Sequence, residues 1–154
     1  MEIIKTFDHE IIARLNNDVQ DIHVSLYPEY FNEYDYESIS GFYKQIMTNP
    51  NFDFLVIKSD EQYLGYAWIE VREIQESVFM RANKFVFVHQ FSISKEYRNK
   101  GFGSQLMNKI EEIARDKGIN RIQLDYWSDN ELAREFYKKN EYKIYREFIY
   151  KDLV

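Results

Sequence analysis

No cysteine occurs in the 154 residues. That excludes a thiol nucleophile, a disulfide framework and a cysteine-based zinc site, and with them acyl transfer through an enzyme thioester. Histidine is nearly as scarce, and His9, His23 and His89 show no paired spacing, so no metal centre is expected. The two prolines and five glycines form no Pro/Gly/Ser-rich linker, and there is no internal repeat or low-complexity tract. The expectation is one domain, residues 1–154, with room for a proper core. Met1 is followed by Glu2 and a mixed segment rather than a basic start and an apolar run, and no later stretch approaches the length of a membrane span. A soluble, cytoplasmic protein without a membrane partner is expected. Excess basic charge is missing too. The net charge of −6 disfavours nonspecific nucleic-acid binding and mildly suits a cationic acceptor such as an amine or a basic peptide.

What is present has clear periodicity. Residues 3–6 read as a first strand, and Asp8 or Thr6 can cap a helix that continues through Ile11, Ile12, Leu15, Val19 and Ile22. Residues 38–47 carry Ile39, Phe42, Tyr43 and Ile46 at helical spacing before Asn49-Pro50-Asn51 ends the helix. Residues 52–58 and 63–73 flank the turn-rich Ser59-Asp60-Glu61-Gln62 as a hairpin, and 86–93 form the next strand. Residues 79–85, interrupted by Arg81, Asn83 and Lys84, suit either a longer connection or a bulged hairpin.

The richest stretch follows. Arg98-Asn99-Lys100-Gly101-Phe102-Gly103-Ser104 joins the strand at 86–93 to a helix marked by Leu106, Ile110, Ile113 and Ala114, and Gly118 stops that helix. A glycine-broken loop at a helix N-terminus presents N–H donors and partial positive charge to an anion, so phosphate binding is inferred. A dinucleotide fingerprint would need glycine at Leu106, and a P-loop needs Gly-Lys-Ser/Thr at a spacing that is absent.

The run Arg98-Asn99-Lys100-Gly101-Phe102-Gly103 instead resembles the acyl-CoA pyrophosphate loop of the GNAT superfamily of N-acetyltransferases, Arg/Gln-x-x-Gly-x-Gly/Ala. Downstream, behind a strand at 122–126, Asn130-Glu131-Leu132-Ala133-Arg134-Glu135-Phe136-Tyr137 resembles the family's Asn-x-x-Ala-x-x-Phe/Leu-Tyr helix. The resemblance spans nearly the whole chain. It implies a mixed α/β fold of order β-α-α-β-β-β-α-β-α-β, with a mostly antiparallel mixed sheet flanked by helices. Asn140-Glu141-Tyr142 replaces the Gly-Phe that commonly follows the second motif, and Asn tolerates the left-handed conformation of a helix end.

The resemblance also implies roles. Acetyl-CoA would be the cosubstrate, with no metal. Its pyrophosphate would lie on Arg98, Asn99, Lys100, Gly101, Phe102, Gly103 and Ser104, and its pantetheine along Phe91, Ser92 and Ile93, one of whose N–H groups, with Phe91 favoured, would stabilise the oxyanion. Asn130 would reach the cofactor and Tyr137 would act as general acid toward the departing thiolate. Each residue also has a plain structural account. Arg98 and Lys100 are loop charges, Phe91 and Ile93 suit core packing, and Tyr137 is one of 13 tyrosines. A capping box from Ser128 to Glu131 would leave Asn130 exposed in a first turn. No general base stands out among Glu70, Glu73 and His89. The acceptor, a small amine or a peptide or protein amine, is expected near Tyr27-Pro28-Glu29-Tyr30-Phe31 and Tyr34-Asp35-Tyr36, residues that equally suit sheet cover or a homodimer contact. Two other classes compete with the transferase: a noncatalytic acyl-CoA sensor of the same fold, and a nucleotide-dependent transferase, which would need a metal-holding carboxylate that the loop lacks.

Overall fold

In the computed structural model, which describes residues 1–154, the chain begins with strand β1 (Glu2–Lys5) and helices α1 (His9–Leu26) and α2 (Tyr36–Ile46). Each helix starts at an aspartate. The Asp8 carboxylate accepts the N–H groups of Glu10 and Ile11 at 3.0 and 3.2 Å, and Asp35 accepts that of Ser38 at 2.8 Å, satisfying donors that a helix start leaves without partners. The hairpin follows as β2 (Phe52–Ser59) and β3 (Gln62–Ile74), turning at Asp60 with φ 54°. Then come β4 (Asn83–Ile93), a short 3-10 turn (Lys95–Tyr97), α3 (Phe102–Asp116), β5 (Ile122–Leu124) and α4 (Glu131–Lys139). No helix is long and apolar enough to cross a membrane.

The five strands lie in sequence order. Neighbours are antiparallel except β4 and β5, which run parallel, so the mixed α/β architecture with a mostly antiparallel sheet is as expected. One face carries Phe54, Val56, Tyr66 and Trp68 against Ile12 and Ala13 of α1 and Tyr43 of α2. The other carries Leu55, Ile57, Ala67, Ile69, Val86, Val88 and Ile93 against Leu106, Met107, Ile110 and Ala114 of α3 and Tyr137 of α4. These four α3 residues are almost fully buried, and each of the larger side chains contributes about 1.5–3 kcal/mol relative to exposure.

The β3–β4 register slips once. Trp68 pairs with Gln90 and Ile69 with Val88, leaving His89 as an extra residue in β4. An inserted residue reverses the alternation of side chains beyond it. Val86 and Val88 before the bulge, and Phe91 and Ile93 after it, therefore all belong to the α3/α4 side of the sheet, although their spacing breaks a strict period of two. Near the far end Gly65 faces Ile93. A Cβ at Gly65 would lie 2.4 Å from the Ser92 carbonyl oxygen and 2.6 Å from Ile93 Cδ1, so only glycine permits this approach.

The expected order is corrected at its end. No strand follows α4, and residues 143–154 take no regular secondary structure. A strand needs an edge to pair with, and these residues pair with none in their own chain. The connection at 79–85 resolves as a long hairpin, with β4 beginning at Asn83.

Gly65→Ala should lower stability by roughly 1–3 kcal/mol, as overpacking against a backbone atom does, measured by urea denaturation. An unchanged midpoint would contradict the close approach.

Candidate functional site

Between the 3-10 turn and α3 the backbone changes hand twice, at Asn99 (φ 61°) and Gly101 (φ 84°). The second position is the N-cap of α3, and no side chain caps the helix there. The first bond of α3 runs from Gln105 N–H to the Gly101 carbonyl at 3.1 Å. None of the N–H groups of residues 99–104 donates to an acceptor within the chain. Six consecutive donors at the positive end of a 15-residue helix make a cradle that could receive an anion. Arg98 Nε donates to the Ile93 carbonyl at 2.9 Å, and Lys100 Nζ to the Glu96 carbonyl at 3.1 Å. Gly103 serves packing as well. A Cβ there would meet the Phe136 ring at 2.9 Å, so the first turn of α3 rests directly on α4.

The cradle adjoins an open strand edge. β5 pairs with β4 only at Val86, Phe87 and Val88, so beyond Val88 the β5 side of β4 has no strand beside it. Ser94 N–H donates to Leu64 O in β3. By alternation Ser92 also directs its backbone to β3, while Phe91 and Ile93 direct theirs to the open edge. The bond from Arg98 to the Ile93 carbonyl agrees with this parity. Of the three strand residues singled out in the sequence, Phe91 and Ile93 thus present backbone groups to the edge and Ser92 does not. The Phe91 ring stacks on Phe136 with centroids 5.3 Å apart.

On α4, Asn130 is the N-cap itself, its Oδ1 accepting Ala133 N–H at 3.1 Å. This corrects the capping box at Ser128. The asparagine of the motif is the better cap because it directly precedes Glu131, the first helical residue, and it is 9% exposed rather than on an open first turn. Arg98 and Asn130 share the wall of a groove of about 520 Å³ between the second half of α1 and the start of α4, with Lys95, Asp18, Asp21 and Asp129 nearby. Tyr137 is buried, stacked on Tyr126 at 5.8 Å and edge-on to Tyr142 at 5.5 Å. Burial, then the neighbouring Tyr142 and Asp125, push its pKa above that of a free phenol, so it stays protonated at neutral pH.

The bulge places His89 and Gln90 together on the α1/α2 side. His89 stacks on Trp68 at 4.3 Å, and its Nε2 lies 2.6 Å from Glu70 Oε2, which also accepts Arg72 Nε at 2.8 Å. Glu73 instead pairs with the exposed Lys84 at 3.0 Å, seven residues along β4 from Phe91, which at ~3.3 Å per residue removes it from the site. Gln90 Oε1 accepts hydroxyl bonds from Tyr43 and, at 2.9 Å, from Tyr66, while Asn16 Nδ2 donates to the Tyr66 hydroxyl at 2.9 Å. Burial pushes both tyrosines up, Tyr66 to about 12, so both remain donors. Sequence inspection missed this network because its members lie on four different elements.

The two aromatic and acidic runs have separate fates. Asp35 caps α2, and the Tyr34 hydroxyl donates to the Ala13 carbonyl at 2.7 Å, so this run is structural. Tyr27, Tyr30 and Phe31 gather on Trp127, with centroids 4.6, 5.8 and 5.2 Å away, and the Tyr27 hydroxyl donates to Asp129 at 2.9 Å. Trp127 was not legible as a site residue. The hint was its place three residues before Asn130.

The acetyltransferase (GNAT) family model matches residues 16–142. An uncharacterised N-acetyltransferase of Bacillus subtilis is 22% identical over 98 residues, covering 63% of this chain and 59% of its own. N-alpha-acetyltransferase 30 of Schizosaccharomyces pombe is 27% identical over 90 residues, covering 58% of this chain and 56% of its own. The matched part thus spans less than two thirds of the length of these relatives. The BH1408 protein of Bacillus halodurans, solved as a tetramutant, superposes with a TM-score of 0.93 at 19% identity, over 99% of this chain and all of that one. At that identity the likeness concerns the fold.

The histidines set a pH dependence of stability. Burial, with Arg72 adding to it, lowers the His89 pKa despite the Glu70 carboxylate, and burial also lowers that of His23. Beneath the free-imidazole value of 6.5 the unfolded chain therefore binds more protons than the folded one. Stability rises with pH in that window and is lost as pH falls. Glu70 has the same sign at lower pH: burial raises its pKa, but the bonds from His89 and Arg72 outweigh this and leave it below the ordinary 4.5. The urea midpoint should therefore be lower at roughly pH 5.5 than at roughly pH 7.5, with a smaller difference in His89→Gln. Equal differences in the two proteins would contradict the His89 assignment.

Proposed function

The chain belongs to the acetyltransferase (GNAT) family, and we propose that residues 1–154 act as a single N-acetyltransferase domain in the cytoplasm, moving an acetyl group from acetyl-CoA to a primary amine by direct attack in a ternary complex. One observation carries this reading. Six N–H donors without acceptors stand beside a strand edge that exposes the backbone of Phe91 and Ile93. That pairing of an anion cradle with a strand-like hydrogen-bonding edge fits a ligand with a pyrophosphate at one end and two amides along its arm.

The residues divide the work. The N–H groups of residues 99–104 receive the pyrophosphate, with Lys100 adding charge and Arg98 fixed between the cradle and the strand end. The pantetheine amides pair with Phe91 and Ile93 as an added strand would. Asn130, besides capping α4, faces the same groove as Arg98. Bound acetyl-CoA supplies an activated thioester. The Phe91 N–H, fixed by the bulge and the Phe136 stack, donates to the carbonyl oxygen as it gains negative charge, an effect worth about 3–4 kcal/mol per donor in acyl transfer. Tyr137, held protonated by burial, gives its proton to the departing sulfur. The Glu70–His89 pair takes a proton from the acceptor's ammonium, which leaves the neutral amine that attacks. Glu70 holds Nε2–H and so leaves Nδ1 as the acceptor in this assigned tautomer. The aromatic group around Trp127, with Asp129, suits a cationic acceptor.

Tyr137→Phe should lower turnover about 10²–10⁴-fold with little change in acetyl-CoA affinity, read by thiol release with a panel of amines. Full turnover in this variant would remove Tyr137 from the chemistry, and binding without release from any amine by the parent protein would favour a sensor. Arg98→Ala should weaken acetyl-CoA binding roughly tenfold to a hundredfold in calorimetric titration. Unchanged affinity would contradict the cradle.

A further inference from the structure

Residues 143–154 have the sequence of a strand and lie against no sheet. Ile144, Tyr145, Phe148, Ile149 and Tyr150 are residues that favour strands. Yet seven of the nineteen exposed large apolar side chains of the whole protein fall in these twelve residues, Phe148 and Val154 among them fully exposed. A contiguous apolar segment of this kind marks an interaction site, and a strand without a partner invites pairing.

The chain does not satisfy the segment itself. The end of α4 turns through Glu141 at φ 64°, with Tyr142 N–H on the Tyr137 carbonyl at 2.9 Å. Tyr145 then lies under the Arg121 guanidinium, 4.7 Å from ring centroid to charge, beside the residue that leads into β5. Ile149 and Tyr150, each 84% exposed, show that the chain beyond this point has left its own body. The Tyr142 hydroxyl, at the root of the segment, is buried with no partner. Meanwhile β5 pairs with β4 on one side only, and its outer edge carries no strand.

We infer that two copies of this chain form a closed dimer by exchanging residues 143–154, each segment adding a sixth strand along the outer edge of β5 in the other copy. A strand without an edge and an edge without a strand stand on the same molecule, and successive elements of a sheet normally neighbour each other. A two-fold exchange satisfies both at once and closes, leaving no free end to propagate a fibre. Charge agrees with a second copy as occupant. The segment carries Lys143, Arg146 and Lys151 against Glu147 and Asp152, whereas the whole chain has net charge −6.

Light scattering after size exclusion should give the full chain twice the 18.8 kDa of one copy. The Phe148→Asp, Ile149→Asp double variant should fall to the mass of one chain while keeping the helical signal of its far-ultraviolet circular dichroism. Because the chain has no cysteine, location can be read separately. Gln123→Cys protein mixed with Phe148→Cys protein and treated with a flexible bismaleimide should give a covalent dimer of one copy of each. A full chain at 18.8 kDa, a dimer indifferent to the two aspartates, or bridging within a single chain that carries both cysteines would each overturn the exchange.

Discussion

The site depends on one inserted residue. His89 breaks the β3–β4 register, and everything beyond it follows from the reversed alternation. Phe91 and Ile93 rejoin Val86 and Val88 on the side packed by α3 and α4, and their backbone groups then face the side on which β5 has already stopped. Without the bulge, the same residues would either lose their place in the core or turn these groups toward β3. Apolar burial and the direction of an N–H are thus fixed by a single register choice.

Packing from both faces holds that choice. On one side, Phe136 sits between Phe91 and the first turn of α3, where a Cβ at Gly103 would reach its ring, so strand, anion cradle and α4 meet at one aromatic ring. On the other, Tyr43 and Tyr66 converge on Gln90, and Asn16 of α1 donates to Tyr66. A buried polar network is stabilising only when every member is satisfied, and satisfaction here requires Gln90 to stay on the α1/α2 face. The bulge is therefore held by hydrogen bonds on one face and by ring stacking on the other.

Much of this was legible in the sequence, and the rest was not for specific reasons. Helix starts at Asp8, the hairpin across Asp60 and the loop from Arg98 to Ser104 follow from local chemistry, and local chemistry is what a sequence displays. The family resemblance carried the order of elements as far as α4. The bulge was invisible, because Val88-His89-Gln90-Phe91 fits a strand of either parity and only pairing decides. The alternative that Ser128 caps the last helix gave way because Asn130, two residues further on, is itself the cap. The final strand was expected from the family order alone, with no residues assigned to it, although Ile144, Phe148 and Tyr150 do favour strands. What a single sequence does not display is whether the edge that satisfies such residues belongs to the same chain.

The most direct test of the account is amide hydrogen exchange, residue by residue along β4, with and without acetyl-CoA. Phe91 and Ile93 should gain protection on binding, together with the amides of residues 99–104, whereas Ser92, already paired with β3, should change little. Binding that leaves Phe91 and Ile93 unprotected, or that protects Ser92 in their place, would contradict the claim that the open edge of β4 holds the cofactor.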